Sequence, residues 1–210
     1  MIYIGVVNLS DLEDRTYKQL YDRASSERRC QADRCFRIED SHRCIVADGL
    51  LRYVLRKSFG TDQVTLCKTK AGKPYLVGRE DFHFNLSHSG NWVVIAWADR
   101  AVGIDVEFLR STENKDRLAQ RFFHPQEQAY LAQARGQEWA WRFFEIWTKK
   151  ESYLKYLGTG IDRALNSFSV FDLPEVSFIS QRLEDALLTL CASNAQCQII
   201  SLTPEMLLPG

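Results

Sequence analysis

The sequence predicts an α+β protein built as two pseudo-symmetric lobes, each with helices packed on a small antiparallel sheet. Two observations lead to this prediction. Each half of the 210-residue chain runs from helical segments into short apolar strands, and 45% of the residues are apolar, which suffices for a sizeable core. We place the lobes at 1–103 and 104–210 and expect the functional site in the cleft between them.

The first half predicts a strand, two helices and a meander. In the opening strand Ile2, Ile4 and Val6 share one face, and the second helix carries apolar residues at helical spacing. Two apolar runs and a third strand follow one another around short turns, which is typical of a three-stranded meander. These segments lie at 1–9, 11–35, 38–56 and 82–107.

The second half predicts two helices followed by short strands. Pro125 suits the first turn of one helix, and Gly158 suits the position that ends the other, an aromatic-rich helix over 138–156. Short segments with apolar residues then predict the strands. These strands lie at 167–170, 176–180, 186–191 and 196–202.

Charge and cysteine content narrow the class of protein. The chain has 27 basic and 27 acidic residues, so no net field favours nucleic acid or a membrane surface. No apolar run is long enough to span a bilayer and no signal-peptide pattern is present, so we expect a cytoplasmic protein. The six cysteines lack metal-type spacing and predict reduced thiols, with a disulfide still open.

Two acidic motifs carry the chemical information. In Gly-Ile-Asp-Val-Glu (103–107) the side chains of Asp105 and Glu107 point to the same face of a predicted strand. In Trp-Thr-Lys-Lys-Glu-Ser-Tyr-Leu-Lys (147–155) Glu151 and Lys155 are neighbours on a predicted helix. Three carboxylates that meet in one place suit Mg²⁺, which is usually bound with substrate phosphate oxygens.

Each motif alone is also typical of ordinary surface charge. A Glu–Lys pair four residues apart is usually a solvated ion pair on a helix, and acidic residues at a strand end are common. The context favours a site, because the strand and the aromatic helix both look buried, and charges on buried elements need partners or a metal.

Together the motifs resemble those of the 4′-phosphopantetheinyl transferases, in particular the monomeric two-lobed kind that activates surfactin synthetase. Three further stretches fall in the order of that family, and the resemblance covers about residues 25–170. They are Glu39-Asp40-Ser41-His42-Arg43, Gly72-Lys73-Pro74 and Phe84-Asn85-Leu86-Ser87-His88-Ser89-Gly90.

The resemblance implies an activity and a set of residue roles. The family transfers the phosphopantetheine arm of coenzyme A to a serine of an apo carrier protein and releases 3′,5′-ADP. Asp105, Glu107 and Glu151 would hold Mg²⁺ on the diphosphate, and Glu151, or a water that it polarises, would accept the proton of the serine. Lys155 would contact the diphosphate and support the leaving group.

The resemblance also implies a site for the remaining phosphate of coenzyme A. Its binding would fall to five residues, which are Arg28, Arg43, Lys73, Ser87 and His88. Gln31 departs from the family pattern, since relatives often have a lysine there, so one phosphate contact is either missing or supplied by Arg34. Each of these side chains also has an ordinary structural interpretation on a helix face, a turn or a loop.

The carrier protein, whose serine lies at the start of an acidic helix, would dock on 111–130. There Lys115, Arg117 and Arg121 accompany Phe122 and Phe123. Two other functions are weighed: a Mg²⁺-dependent phosphohydrolase, and a silent homologue that only binds carrier protein or coenzyme A. The sequence leaves open which acyl, polyketide or peptidyl carrier is the acceptor, and what the last forty residues do.

Overall fold

The computed structural model describes residues 1–109, 114–159, 164–194 and 196–209. Within these ranges the chain forms six α-helices and nine strands. The helices are α1 (Asp14–Arg23), α2 (Ser26–Asp33), α3 (Ile38–Phe59), α4 (Lys115–Phe122), α5 (Pro125–Ala132) and α6 (Gly136–Leu157). The strands are β1 (Ile2–Asn8), β2 (Leu66–Lys68), β3 (Pro74–Leu76), β4 (His83–Ser89), β5 (Trp92–Ala98), β6 (Gly103–Phe108), β7 (Ser177–Arg182), β8 (Ala186–Ala192) and β9 (Cys197–Leu202).

The first lobe is built on a four-stranded sheet in the order β4-β5-β1-β9. The alternating apolar residues of β1 place Ile4 opposite Ala96 of antiparallel β5 and beside Ile199 of parallel β9. Helix α3 covers one face of this sheet with an apolar side that includes Leu50 and Val54. Strands β2 and β3 form a separate short hairpin.

The second lobe is built on a three-stranded antiparallel sheet in the order β6-β8-β7. Central strand β8 is buried along its whole length because both of its faces are covered. Leu187 and Cys191 pack in the core that includes α6, whereas Leu188 and Leu190 face the first sheet.

A shared apolar core joins the two lobes. Ile4 and Val6 of β1 pack against the same cluster as Ile104 and Val106 of β6. The molecule is therefore layered as α3, first sheet, second sheet and α6, and strands β4 and β6 meet along one margin of the two sheets. The predicted two-lobed α+β fold is confirmed.

The predicted meander is correct for β4 and β5 but wrong for its third strand. Strand β6 pairs with β8 of the second sheet. Its other edge bonds to side chains of β4: the backbone N–H groups of residues 104, 106 and 108 donate to Asn85, Ser87 and Ser89, respectively. Side-chain oxygens thus replace the backbone ladder and satisfy this edge where the lobes meet.

The last residues return to the first sheet. Strand β9 pairs in parallel with β1, and the 3₁₀-helix Pro204–Leu207 packs on α1 and α3. The lobe limits 1–103 and 104–210 stay a prediction, and the strand predicted at 167–170 is wrong, since a 3₁₀-helix covers Leu165–Ser167.

The structure also bears on the cysteines and on membrane-spanning helices. All six cysteines are free thiols, as predicted. Among the described residues, no helix combines the length and apolar character that a membrane crossing requires.

Candidate active site

A cavity of about 510 Å³ opens where β4, β6 and α6 meet. It is lined by residues from both lobes. Seven of the predicted site residues contribute to it: Arg28, Ser87, His88, Asp105, Glu107, Glu151 and Lys155. The spacing predicts one face for each motif, and the structure brings the two faces to one cavity.

Asp105 lies at the bottom of this cavity and is only 4% exposed. Its Oδ1 accepts hydrogen bonds from Ser87 Oγ at 2.9 Å and Lys155 Nζ at 2.6 Å. Its buried Oδ2 has no hydrogen-bond partner within the described ranges. A buried carboxylate oxygen without a donor is costly unless a cation or ligand reaches it.

Glu107 and Glu151 face the same cavity. Burial, followed by the charge of Asp105, raises the pKa of both carboxyl groups. Ser89 Oγ donates to Glu107 Oε2 at 2.9 Å, and Trp147 Nε1 donates to its Oε1 at 3.3 Å. Three carboxylates thus repel one another in a partly buried site, and the Lys155 ammonium bonds to Asp105.

This donor set fits a hard divalent cation. Carboxylate oxygens are the ligands that Mg²⁺ prefers, and the mutual repulsion and the orphaned Oδ2 of Asp105 are both relieved by positive charge. In the part of the chain that the structure describes, no three Asp, Glu, His or Cys side chains converge closely enough to hold a metal as they stand. Metal binding by Asp105, Glu107 and Glu151 therefore remains a prediction.

Lys155 connects the helix to the strand. Its Nζ donates to both Asp105 Oδ1 and Ser87 Oγ, so that α6, β6 and β4 are joined at one ammonium. The Lys155 side chain is 27% exposed, which leaves it accessible from the cavity.

Four of the five predicted phosphate-binding residues line two adjoining cavities. Arg28 lines the first cavity and donates to Gln31 Oε1 at 3.0 Å. Gln31, which departs from the family pattern, therefore contacts a predicted phosphate-binding residue. Arg43 lines a second cavity of about 540 Å³, where it pairs with Asp40 and donates to the Gly90 carbonyl. His88 lines both cavities.

The environment of His88 favours its neutral form. Burial lowers the pKa of the imidazole, and the positive charges of Arg43 and Lys155 lower it further. A neutral imidazole offers one donor and one acceptor between the two cavities.

Lys73 lies apart from the first cavity. Its Nζ donates to the backbone carbonyls of Lys155 at 2.6 Å, Val102 at 3.2 Å and Tyr156 at 3.2 Å. Burial lowers the pKa of Lys73 to about 8. It also lines a smaller cavity of about 260 Å³, which Glu151 and Lys155 share.

Three functional contacts were missed in the sequence. Asn85 and Ser89 join β4 to β6, and Trp147 donates to Glu107. The polar residues of β4 recur with a period of two, and this pattern would have placed Asn85 and Ser89 on one face with Ser87.

Only some of the side chains in the predicted docking segment, 111–130, are exposed. Residues 111–113 lie outside the described residues. Lys115 is buried, with its Nζ 4.5 Å from the centre of the Phe144 ring, and Phe123 belongs to the core. Arg117 and Arg121 are exposed, and Arg121 lies over the half-buried ring of Phe122.

Comparison with known proteins identifies the family. The model of the 4′-phosphopantetheinyl transferase superfamily matches residues 101–200, and that of the 4′-phosphopantetheinyl transferase N-terminal region matches 13–100. A 4′-phosphopantetheinyl transferase of Bacillus pumilus is 34% identical over 173 residues, covering 79% of this chain and 73% of the relative. One of Aneurinibacillus migulanus is 32% identical, covering 80% of this chain and 69% of the relative.

The chain belongs to the 4′-phosphopantetheinyl transferase superfamily, as its motifs predict. A 4′-phosphopantetheinyl transferase of Bacillus subtilis is 36% identical over 148 residues, which make up 70% of this chain. That match spans 65% of the relative, slightly less than two thirds of its length.

Proposed function

We propose that this protein is a Mg²⁺-dependent 4′-phosphopantetheinyl transferase, which moves the phosphopantetheine arm of coenzyme A onto a serine of an apo carrier protein. The single observation that carries the proposal is the cavity in which Asp105, Glu107, Glu151 and Lys155 meet. The resemblance to the family implies the substrates and the second product, 3′,5′-ADP.

Asp105, Glu107 and Glu151 would hold the metal. When bound there, Mg²⁺ supplies charge neutralisation for the diphosphate. The Ser89 and Trp147 donors fix the Glu107 carboxylate, and Ser87 fixes that of Asp105. These hydrogen bonds orient the carboxylates of Asp105 and Glu107, which supports their proposed role as metal ligands.

Lys155 and Glu151 would act on the reacting groups. Lys155 Nζ, now 2.6 Å from Asp105, donates to the diphosphate and stabilises the negative charge of the leaving group. Glu151 accepts the proton of the incoming serine, directly or through one water. Glu151 lines the cavity beside Asp105 and Glu107, which puts its carboxylate within the same site as the proposed metal ligands.

The phosphates of coenzyme A would be distributed over the two adjoining cavities. Arg28, Ser87 and His88 line the first, and Arg43 and His88 line the second. Guanidinium groups fork onto phosphate oxygens, and neutral His88 donates one hydrogen bond. Lys73 belongs to this set by family resemblance, although its ammonium is bonded to three carbonyls.

The carrier protein would dock on the exposed side of α4 through Arg117, Arg121 and Phe122. Changing Arg117→Glu together with Arg121→Glu should raise KM for the carrier about tenfold or more and leave KM for coenzyme A unchanged, because charge reversal repels an acidic partner. Arg15→Glu with Arg23→Glu on α1 changes the net charge equally and serves as the control. An unchanged carrier KM in the α4 variant would contradict this docking surface.

Chromatography of the nucleotide products tests the function against a phosphohydrolase. Coenzyme A should yield 3′,5′-ADP only when both Mg²⁺ and an apo carrier protein are present. Product formation without any carrier would identify a hydrolase. Coenzyme A binding without product, across acyl, polyketide and peptidyl carriers, would favour a silent homologue.

A further inference from the structure

The loop that carries Lys73 reaches from the first lobe to the end of helix α6. Lys73 follows Gly72, whose φ of +87° closes the tight turn of the β2–β3 hairpin. The turn is held by bonds between Thr69 and Lys73, including Lys73 N to Thr69 Oγ1 at 3.1 Å. The base of the Lys73 side chain is thus fixed before its tip makes any contact.

The ammonium of Lys73 has all its donors in use. An ammonium carries three N–H groups, and Lys73 Nζ has three carbonyl acceptors within 3.2 Å. A phosphate would have to displace one of these carbonyls. A positive charge is also favourable at this place, because the carbonyls of Lys155 and Tyr156 lie at the negative end of the α6 dipole.

The three acceptors belong to the two elements that carry the acidic motifs. Val102 directly precedes β6, which bears Asp105 and Glu107, and the other two carbonyls lie in the last turn of α6. Helix and strand are in backbone contact here, since a Cβ on Gly103 would lie 2.0 Å from the Ser152 carbonyl oxygen. One ammonium therefore bonds to both sides of this contact.

Gly158 leaves space for the same contact. It ends α6 with a left-handed φ of +68°, and a Cβ there would lie 2.9 Å from Lys73 Cδ. The aliphatic part of Lys73 thus passes over the end of the helix through room that a side chain would occupy.

We propose that Lys73 is a positioning residue, which locks the end of α6 to the start of β6 and thereby sets Lys155 and Glu151 against Asp105. This role rests on the proposed transferase function. It differs from phosphate binding in its consequence, because a misplaced helix slows the chemical step whereas a lost phosphate ligand weakens coenzyme A binding.

Kinetics of Lys73→Met separate the two roles. We expect kcat to fall about tenfold or more and KM for coenzyme A to stay within about twofold, equally for coenzyme A and for dephospho-coenzyme A, which lacks the 3′-phosphate. Lys70→Met removes an exposed lysine from the same turn and should change neither constant. A large rise in KM for coenzyme A alone would overturn the proposal in favour of phosphate binding.

Lys73→Arg keeps the positive charge and gives a second test in case Lys73→Met does not fold. A planar guanidinium binds phosphate well but cannot aim three donors as an ammonium does. Positioning therefore predicts a lowered kcat, and full activity of Lys73→Arg would overturn the proposal.

Hydrogen exchange supplies a readout that needs no activity. The backbone amides of residues 152–158 should exchange faster in Lys73→Met than in the wild type and in Lys70→Met, because the end of α6 has lost its hydrogen bonds to the Lys73 ammonium. Equal exchange rates would overturn the positioning role. If the wild type itself transfers nothing, the transferase function fails, whereas the exchange rates still decide whether Lys73 holds the helix.

Discussion

Asp105 is the residue on which the charges of the cavity converge. Lys155 and Ser87 donate to one of its oxygens, and its charge raises the pKa of both Glu107 and Glu151. The remaining oxygen lacks a donor among the described residues. In the proposed mechanism, a cation bound at Asp105 would replace part of its contact with Lys155 and leave the ammonium available to a phosphate.

His88 makes the stability of the protein depend on pH. The folded-state pKa of His88 is lowered, chiefly by burial and then by Arg43 and Lys155, whereas a backbone hydrogen bond and the charge of Asp40 act in the opposite direction. Below pH about 6.5 the unfolded state therefore binds a proton that the folded state refuses, so the free energy of unfolding decreases as pH falls.

Urea unfolding at pH 5.5, 6.5 and 7.5 measures this effect. His88→Gln keeps a polar side chain that cannot titrate in this range, and it should flatten the pH dependence relative to the wild type. Parallel profiles for the two proteins would show that His88 titrates alike in the folded and unfolded states.

At the scale of elements, a buried ion pair anchors helix α6 beside the active site. Lys150 Nζ and Glu127 Oε2 are 2.8 Å apart, with side chains 1% and 0% exposed. Glu127 also accepts from the amide of Val170, and Lys150 donates to the carbonyl of Phe168. The pair thus connects α5, α6 and the segment around residue 170. Its Lys150 directly precedes Glu151 on α6.

Glu127→Gln should lower the free energy of unfolding by about 3–5 kcal/mol, because it removes the charged carboxylate from a fully buried ion pair. Glu138→Gln breaks the exposed pair with Arg142 on the same helix and should cost at most about 1 kcal/mol. Chemical denaturation of both variants gives the comparison. Equal losses would mean that burial of the Glu127–Lys150 pair carries no special weight.

The close approach of β6 to α6 depends on Gly103. Gly103→Ala would place a Cβ 2.0 Å from the Ser152 carbonyl oxygen and 2.3 Å from the Tyr156 nitrogen, so the helix must move. We expect transfer activity to fall about a hundredfold, since a shift of about 1 Å displaces Glu151 and Lys155.

Gly49→Ala in helix α3 is the matched control for Gly103→Ala. Its Cβ would lie 2.9 Å from the flexible end of Leu20 and at ordinary contact distances of 3.6 and 3.7 Å from Leu207, away from the cavity. Activity of the Gly49 variant should stay close to that of the wild type. Similar activity of both alanine variants, measured with the same carrier, would contradict the claim that Gly103 sets the helix position.

At the scale of the whole molecule, the two lobes share one apolar core, and strands β8 and β9 contribute one strand to each of the two sheets. Strand β8 forms the centre of the second sheet, and β9 returns to pair with β1 of the first. The last forty residues, whose role the sequence leaves open, therefore contribute to both lobes and to the layered packing that holds β4 against β6.

Local patterns predicted the contents of the cavity but not the way it is assembled. A period of two on β6 and a spacing of four on α6 place Asp105, Glu107, Glu151 and Lys155 on faces that meet. The pairing of β6 with β8, about eighty residues later, depends on long-range packing that no local pattern encodes. The same holds for Lys73, whose loop sequence gives no sign that its ammonium reaches α6.

Intact-protein mass spectrometry of an apo carrier protein, incubated with coenzyme A and Mg²⁺, tests the central claim most directly. The carrier should gain the mass of one phosphopantetheine with the wild type, and should gain none with Glu151→Ala or with EDTA present. Transfer that persists in both controls would contradict the proposed metal site. No gain with any acyl, polyketide or peptidyl carrier would contradict the transferase function itself.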